Sequence, residues 1–146
     1  MNSHILNENN IILDVEPEGK YEAIERAGKL LADNGYVNME YIEGMKKREN
    51  DITTYIGNGI AIPHGTSDYI KYINKSGIVV VQYPKGVDFG EGNVAYIIIG
   101  IAGLNNEHLE ILSEIALACQ DEQNVEKLRN AVNKEHIISI LSEGGV

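Results

Sequence analysis

The sequence predicts an α/β fold, a single-domain sandwich in which a central mixed β-sheet is covered by helices. Three observations predict it. Helical periodicity occupies both ends of the chain, while β-branched apolar runs fill the middle. The most apolar run, "VAYIIIGIAG", is hydrophobic without alternation and flanked by glycine, the pattern of a strand buried on both faces. At 146 residues, 43% apolar and 23% charged, the chain has the size and composition of one soluble domain, 1–146, able to bury a core without disulfides or metals.

Asn10 to Val15 reads as a short strand around Ile11, Ile12 and Leu13, closed by "EPEG". Lys20 to Asn34 reads as a helix: Ile24, Ala27, Leu30 and Leu31 share one face, and Asn34-Gly35 supplies the stop. A second helix runs from about Met39 to Arg48, with Asn38 as N-cap, glutamates early, and Lys46, Lys47 and Arg48 late, an order that suits the helix dipole. Ile60 to Ile62 is a strand, and Pro63, which lacks a donor, is expected to end its ladder. "SGIVVVQYPKG" reads as a strand and a turn at Pro84-Lys85-Gly86 that leaves room for antiparallel pairing, and "VAYIIIGIAG" as the buried strand. From Asn106 the pattern becomes helical, with Leu109, Leu112, Ile115, Ala116 and Cys119 along one side. Two further short helices fit Asn124 to Ala131 and Lys134 to Ser142.

Twelve Lys and Arg against 22 Asp and Glu give a net charge of −10. No basic stripe is present to neutralise nucleic-acid phosphates or to hold an anionic membrane surface, and the charge suits a basic protein partner. Cys119 is the lone cysteine, so no internal disulfide forms and a reducing compartment is expected. The start of the chain does not read as a secretory signal, and Val94 to Ala102 is too short to span a bilayer. The expectation is a cytoplasmic protein.

The chemistry centres on "GNGIAIPHGT", residues Gly57 to Thr66. Pro63 and Gly65 bracket His64 at the end of a strand, where α/β sheets gather ligands. Imidazole titrates near neutrality; one ring nitrogen held by a carbonyl leaves the other free as a nucleophile. Taken alone, the triplet equally fits a turn histidine with a local hydrogen bond. His108, in "NNEHLEIL", sits in the first turn of a predicted helix, off the Leu109/Leu112 face, where free N–H groups favour anions; alone, it equally fits a solvated surface residue. Arg48 either complements a helix dipole or presents its planar fork to a phosphate. Asn58 is either a turn residue or a hydrogen-bonding group beside His64. Cys119 reads as core, and His4 and His136 as surface residues. No CxxC, HxxxH or HExxH spacing marks a metal site, and no phosphate-binding glycine loop leads into a helix, so neither metal nor cofactor is expected.

As an ordered set, "AGKLLADNGYV", "YIEGMKKRE", "TYIGNGIAIPHGT" and "VVQYPKGVDFGEGNVAYIIIGIAGLNNEHLEIL" resemble the enzyme IIA proteins of the mannitol/fructose class. These belong to the bacterial phosphoenolpyruvate-dependent sugar phosphotransferase system. "QYPKGVDFGE" and "NNEHL" are most similar to the mannitol branch. The resemblance implies that His64 is phosphorylated through Nε2, that His108 is the second active-site histidine, and that Arg48 is the active-site arginine. Asn58 stands where the mannitol branch has a carboxylate, and "GNG" is the fructose-like form. Gly65 and Thr66 complete the motif. The implied partners are HPr as phosphoryl donor and a cysteine of an enzyme IIB domain as acceptor, met through a shallow apolar surface. The transporter portion is expected on a separate polypeptide. Two alternatives remain at this point. One is a regulatory, nitrogen-type enzyme IIA whose phosphorylation state controls target binding. The other is a metal-dependent hydrolase built on His64 and His108.

Overall fold

The computed structural model describes residues 5–143, with only the backbone of Glu143; His4 lies outside the described residues. Five strands form one mixed sheet. They are β1 (Ile11–Ile12), β2 (Tyr55–Gly57), β3 (Ile60–Ala61), β4 (Gly77–Gly90) and β5 (Asn93–Ala102), in the spatial order β1-β4-β5-β3-β2. The helices are α1 (Lys20–Asp33), α2 (Tyr41–Asp51), α3 (Glu107–Cys119), α4 (Glu122–Asn130) and α5 (Lys134–Glu143). Strands β1 and β3 run parallel to β4 and β5 respectively, whereas β4/β5 and β2/β3 are antiparallel.

The alternation of β5 explains the two layers. Ile97, Ile99 and Ile101 face a core completed by Ile111, Ile115 and Leu128 of α3 and α4. Ile98 and Ala102 face Ala27 and Leu31 of α1. Both faces of the strand are covered, which is why its sequence carries no polar alternation. Gly100 sits in tight packing: a methyl there would lie 3.0 Å from Val79 and 3.1 Å from the Ala27 Cβ, so both would have to give by a few tenths of an ångström. The one polar residue deep in β4, Gln82, is fully satisfied. Its amide donates to the carbonyls of Leu128 and Ala131, each at 2.9 Å, and its oxygen accepts the Asp14 N–H, tying α4 to the sheet.

Three expectations are corrected. Pro84-Lys85-Gly86 is a bulge inside β4 and not the turn: Gln82 pairs with Ile97 and Val87 with Ala95, so the extra residues loop out and pairing resumes. Proline removes one ladder donor, and Gly86 takes the positive φ of 88° that re-aims the strand. The reversal lies at Glu91-Gly92, both at positive φ (55° and 82°), the geometry of a tight hairpin. Asn38 does not cap α2 with its side chain. Its Oδ1 accepts from Asn74, and the helix starts at Tyr41 behind a tight turn closed by the Asn38 carbonyl. Finally, α3 buries Ile115 and Cys119 as expected but with Ile111 and Ala118 beside them, leaving Leu109 and Ala116 exposed and Leu112 half-buried. The helix carries two apolar flanks, and sequence spacing alone does not say which one meets the sheet.

Candidate functional site

Asn58 and Gly59 form a two-residue hairpin turn, both at positive φ (52° and 81°), joining β2 to β3. The Asn58 amide donates to the Cys119 carbonyl at 3.2 Å, pinning the turn to the end of α3. Asn58 is therefore a turn residue in the groove of Ile56 and Leu117, not a lining residue of the cleft that holds His64.

Beyond β3 the chain continues along β5. Pro63 loses a donor but keeps its carbonyl, which accepts the Ile101 N–H at 2.9 Å, and His64 bridges Ile101 in parallel register. Pairing thus extends one step past the point expected from the proline. At the next step the ladder is interrupted. The Tyr41 hydroxyl accepts the Gly65 N–H and donates to the Ile101 carbonyl, both at 2.8 Å. Burial pushes that hydroxyl up to about 12, so it keeps its proton. Gly65 is needed for close approach, since an added Cβ would sit 2.6 Å from the Tyr41 ring. Thr66 opens a short 3₁₀ turn, Ser67–Tyr72, through its carbonyl.

His64 is half-buried, with Nδ1 2.7 Å from the Ile62 carbonyl. A carbonyl only accepts, so Nδ1 carries the proton and the neutral ring keeps its lone pair on Nε2. Burial lowers the basicity of His64 most, and the electrostatic influence of Arg48 and then His108 lowers it further, against the Ile62 bond that raises it. The ring therefore stays neutral and nucleophilic at physiological pH.

The corner is also anchored from behind. The Ile62 N–H donates to the Thr54 carbonyl, and the N–H and hydroxyl of Thr54 both donate to Glu49, at 2.8 and 2.7 Å. Glu49 is buried, and its other oxygen meets Lys20 at 3.5 Å. Glu49→Ala is expected to strand two donors and a half-buried lysine and to cost about 2–4 kcal/mol. A urea midpoint lowered at unchanged m-value checks this.

His108 is half-buried and lines the same cleft as His64, Tyr41 and Ile70. Asn105 and Asn106, both left-handed (φ 53° and 69°), turn the chain from β5 into α3 and set His108 against Gly103. Asparagine tolerates that region, which gives "NN" a backbone purpose. Arg48 donates to the Ile52 carbonyl at the end of α2 while remaining close enough to act on His64. It thus caps the helix end from within electrostatic range of His64. His136 is exposed. Tyr41, Gly103 and Glu49 escape sequence reading; the Tyr41 position resembles any core tyrosine on a helix.

The cleft measures about 160 Å³. Small-molecule pockets are usually ~300–1,000 Å³. Ile70, in its wall, is an exposed apolar side chain, as is Leu109, next to His108 in the chain; Ile56 and Leu117, also exposed, line a separate groove. Among the described residues no cluster of three metal-ligating side chains exists, and no helix is long and apolar enough to cross a membrane.

The family model for the phosphoenolpyruvate-dependent sugar phosphotransferase system, EIIA 2, matches residues 4–144. The chain belongs to this enzyme IIA family. A mannitol-specific phosphotransferase enzyme IIA component of Geobacillus stearothermophilus is 52% identical over 143 residues, covering 98% of this chain and 99% of the relative. The crystal structure of the mannitol enzyme IIA from Escherichia coli superposes with a TM-score of 0.87 at 39% identity, covering 93% of this chain and 98% of that one. A complex of the Escherichia coli mannitol enzyme IIA with phosphorylated mannitol enzyme IIB matches with a TM-score of 0.89 at 38% identity, over 94% of this chain and 96% of the other. Membership of the enzyme IIA family bears out the resemblance and the sandwich of a mixed sheet and helices; the mannitol-specific relatives favour the transport reading over the regulatory one.

Proposed function

We propose that this enzyme IIA is the mannitol-type phosphocarrier, taking a phosphoryl group from phospho-HPr on His64 and passing it to a cysteine of an enzyme IIB domain. The observation that carries the reading is the His64 ring itself: neutral, with Nδ1–H tied to Ile62 and Nε2 left with its lone pair at the cleft. In the first step the Nε2–P bond forms as the donor's N–P bond breaks. In the second, a thiolate attacks phosphorus, the S–P bond forms, and His64 leaves as neutral imidazole. Nδ1 holds its proton throughout. Such transfers need in-line placement and charge stabilisation more than covalent machinery. The electrostatic influence of Arg48 on His64, and the position of His108 on the same cleft, support a role for both in steadying the phosphoryl oxygens.

The exposed apolar side chains of Ile70 in the cleft wall, and of Leu109 next to His108 in the chain, support docking of both partners at this cleft. The name of the structural neighbour that includes phosphorylated enzyme IIB supports the acceptor, and family membership supports HPr.

The test is mass spectrometry after incubation with phosphoenolpyruvate, enzyme I and HPr, followed by addition of a mannitol enzyme IIB. The expected result is one acid-labile phosphoryl group on His64 that disappears as enzyme IIB becomes labelled. A phosphoryl group on another residue, or one that never moves on, would overturn the reading.

A further inference from the structure

A parallel ladder running past His64 would next join the Gly65 N–H to the Ile101 carbonyl. The Tyr41 hydroxyl stands in that place, taking the one group and giving to the other. It is a wedge one oxygen wide, fixed by a buried ring on α2. On the near side, the chain is still held to β5 by the Pro63 carbonyl. On the far side its link to β5 runs through that hydroxyl. The bend on which His64 is displayed therefore starts at this hydroxyl.

We propose that Tyr41 is a positioning residue for phosphoryl transfer, its hydroxyl holding the Pro63–Gly65 corner open from β5 and so fixing where the His64 ring points. Without it, either Gly65 closes onto Ile101 and the corner flattens, or one buried and one half-buried backbone group lose their partner and the corner loosens. A displacement of about 1 Å at a reacting group is enough to cost on the order of 10²-fold in rate. The proposal rests on His64 being the phosphorylated residue.

The experiment is single-turnover transfer from phospho-HPr to Tyr41→Phe and Gly65→Ala, with His64→Ala alongside and NMR of the His64 ring. Phenylalanine keeps the buried ring and removes only the wedge. Alanine at 65 pushes on the same contact from the other side. Both are expected to stay folded and to accept phosphate roughly 10–100-fold more slowly at saturating donor, with KM little changed and the His64 Nδ1–H resonance shifted. If Tyr41→Phe does not fold, Gly65→Ala carries the test by itself. Rates within about threefold of the parent protein, or a loss that tracks only the fraction unfolded, overturn the role of Tyr41 and leave the carrier reading standing. Phosphate on His64→Ala overturns the carrier reading itself.

Discussion

His64→Ala is expected to give a folded protein that accepts no phosphoryl group. The loss should be complete, because the reaction consists of bond formation at one ring nitrogen and no neighbouring group can stand in for it. Arg48 has no lone pair to offer. His108 lies at the start of a different element, so a donor aligned in line with His64 Nε2 is not thereby aligned on it. Folding is spared for equally concrete reasons. The side chain is half-buried and makes one hydrogen bond, to Ile62, while the backbone around it is held by Ile101, Tyr41 and Thr54. Losing one such bond costs about 1 kcal/mol. For a chain of this size that is a fall of roughly 2–4 °C in Tm. Calorimetry and an acid-labile phosphate assay on the same preparation check both halves. Labelling of the variant, or its failure to fold, would count against the assignment.

Gly103→Ala is expected to damage both transfer and stability, more than its modest chemistry suggests. A methyl at 103 would lie 2.3 Å from the His108 Cβ and 2.6 Å from the backbone N and Cα of the same residue. Side-chain rotation relieves clashes with flexible groups, but here the obstacle is the first turn of α3. That turn must move, and His108 moves with it. Overpacking of this kind costs about 1–3 kcal/mol. Shifting a site group by about 1 Å should slow transfer to enzyme IIB by roughly 10–100-fold. His108→Ala should reproduce the slow transfer with little loss of stability. Parent-like transfer in Gly103→Ala would mean that α3 has slack at its start.

Much of the fold is legible in the residues because burial writes a period into them. The unbroken aliphatics of β5 announce a strand covered on both faces, whereas Asn58 reads only as a turn residue or a partner of His64 until the structure shows its hairpin with Gly59. What escapes reading is choice among equivalents. Leu109/Leu112 and Ile111/Ile115 are equally good apolar stripes on α3, and only the position of the sheet selects between them. Pro84-Lys85-Gly86 has turn chemistry, yet the antiparallel partner extends past it and makes it a bulge. The site divides in the same way. His64 stands out through its proline and glycine neighbours, and "NNEH" and "KKRE" through family resemblance. Tyr41 and Gly103 owe their importance to contacts 24 and 5 residues away, which no local pattern encodes.

The small cleft beside His64 has a consequence for how uptake is assigned to a particular nutrient. On the proposed reading, a carrier working from so small a cleft passes its phosphoryl group to a protein and not to the sugar. Its allegiance is written in relief, in the contours offered to the next protein in line. Reassigning such a carrier to a different transporter thus calls for recarving an outer contact and leaves the chemistry at the corner as it is.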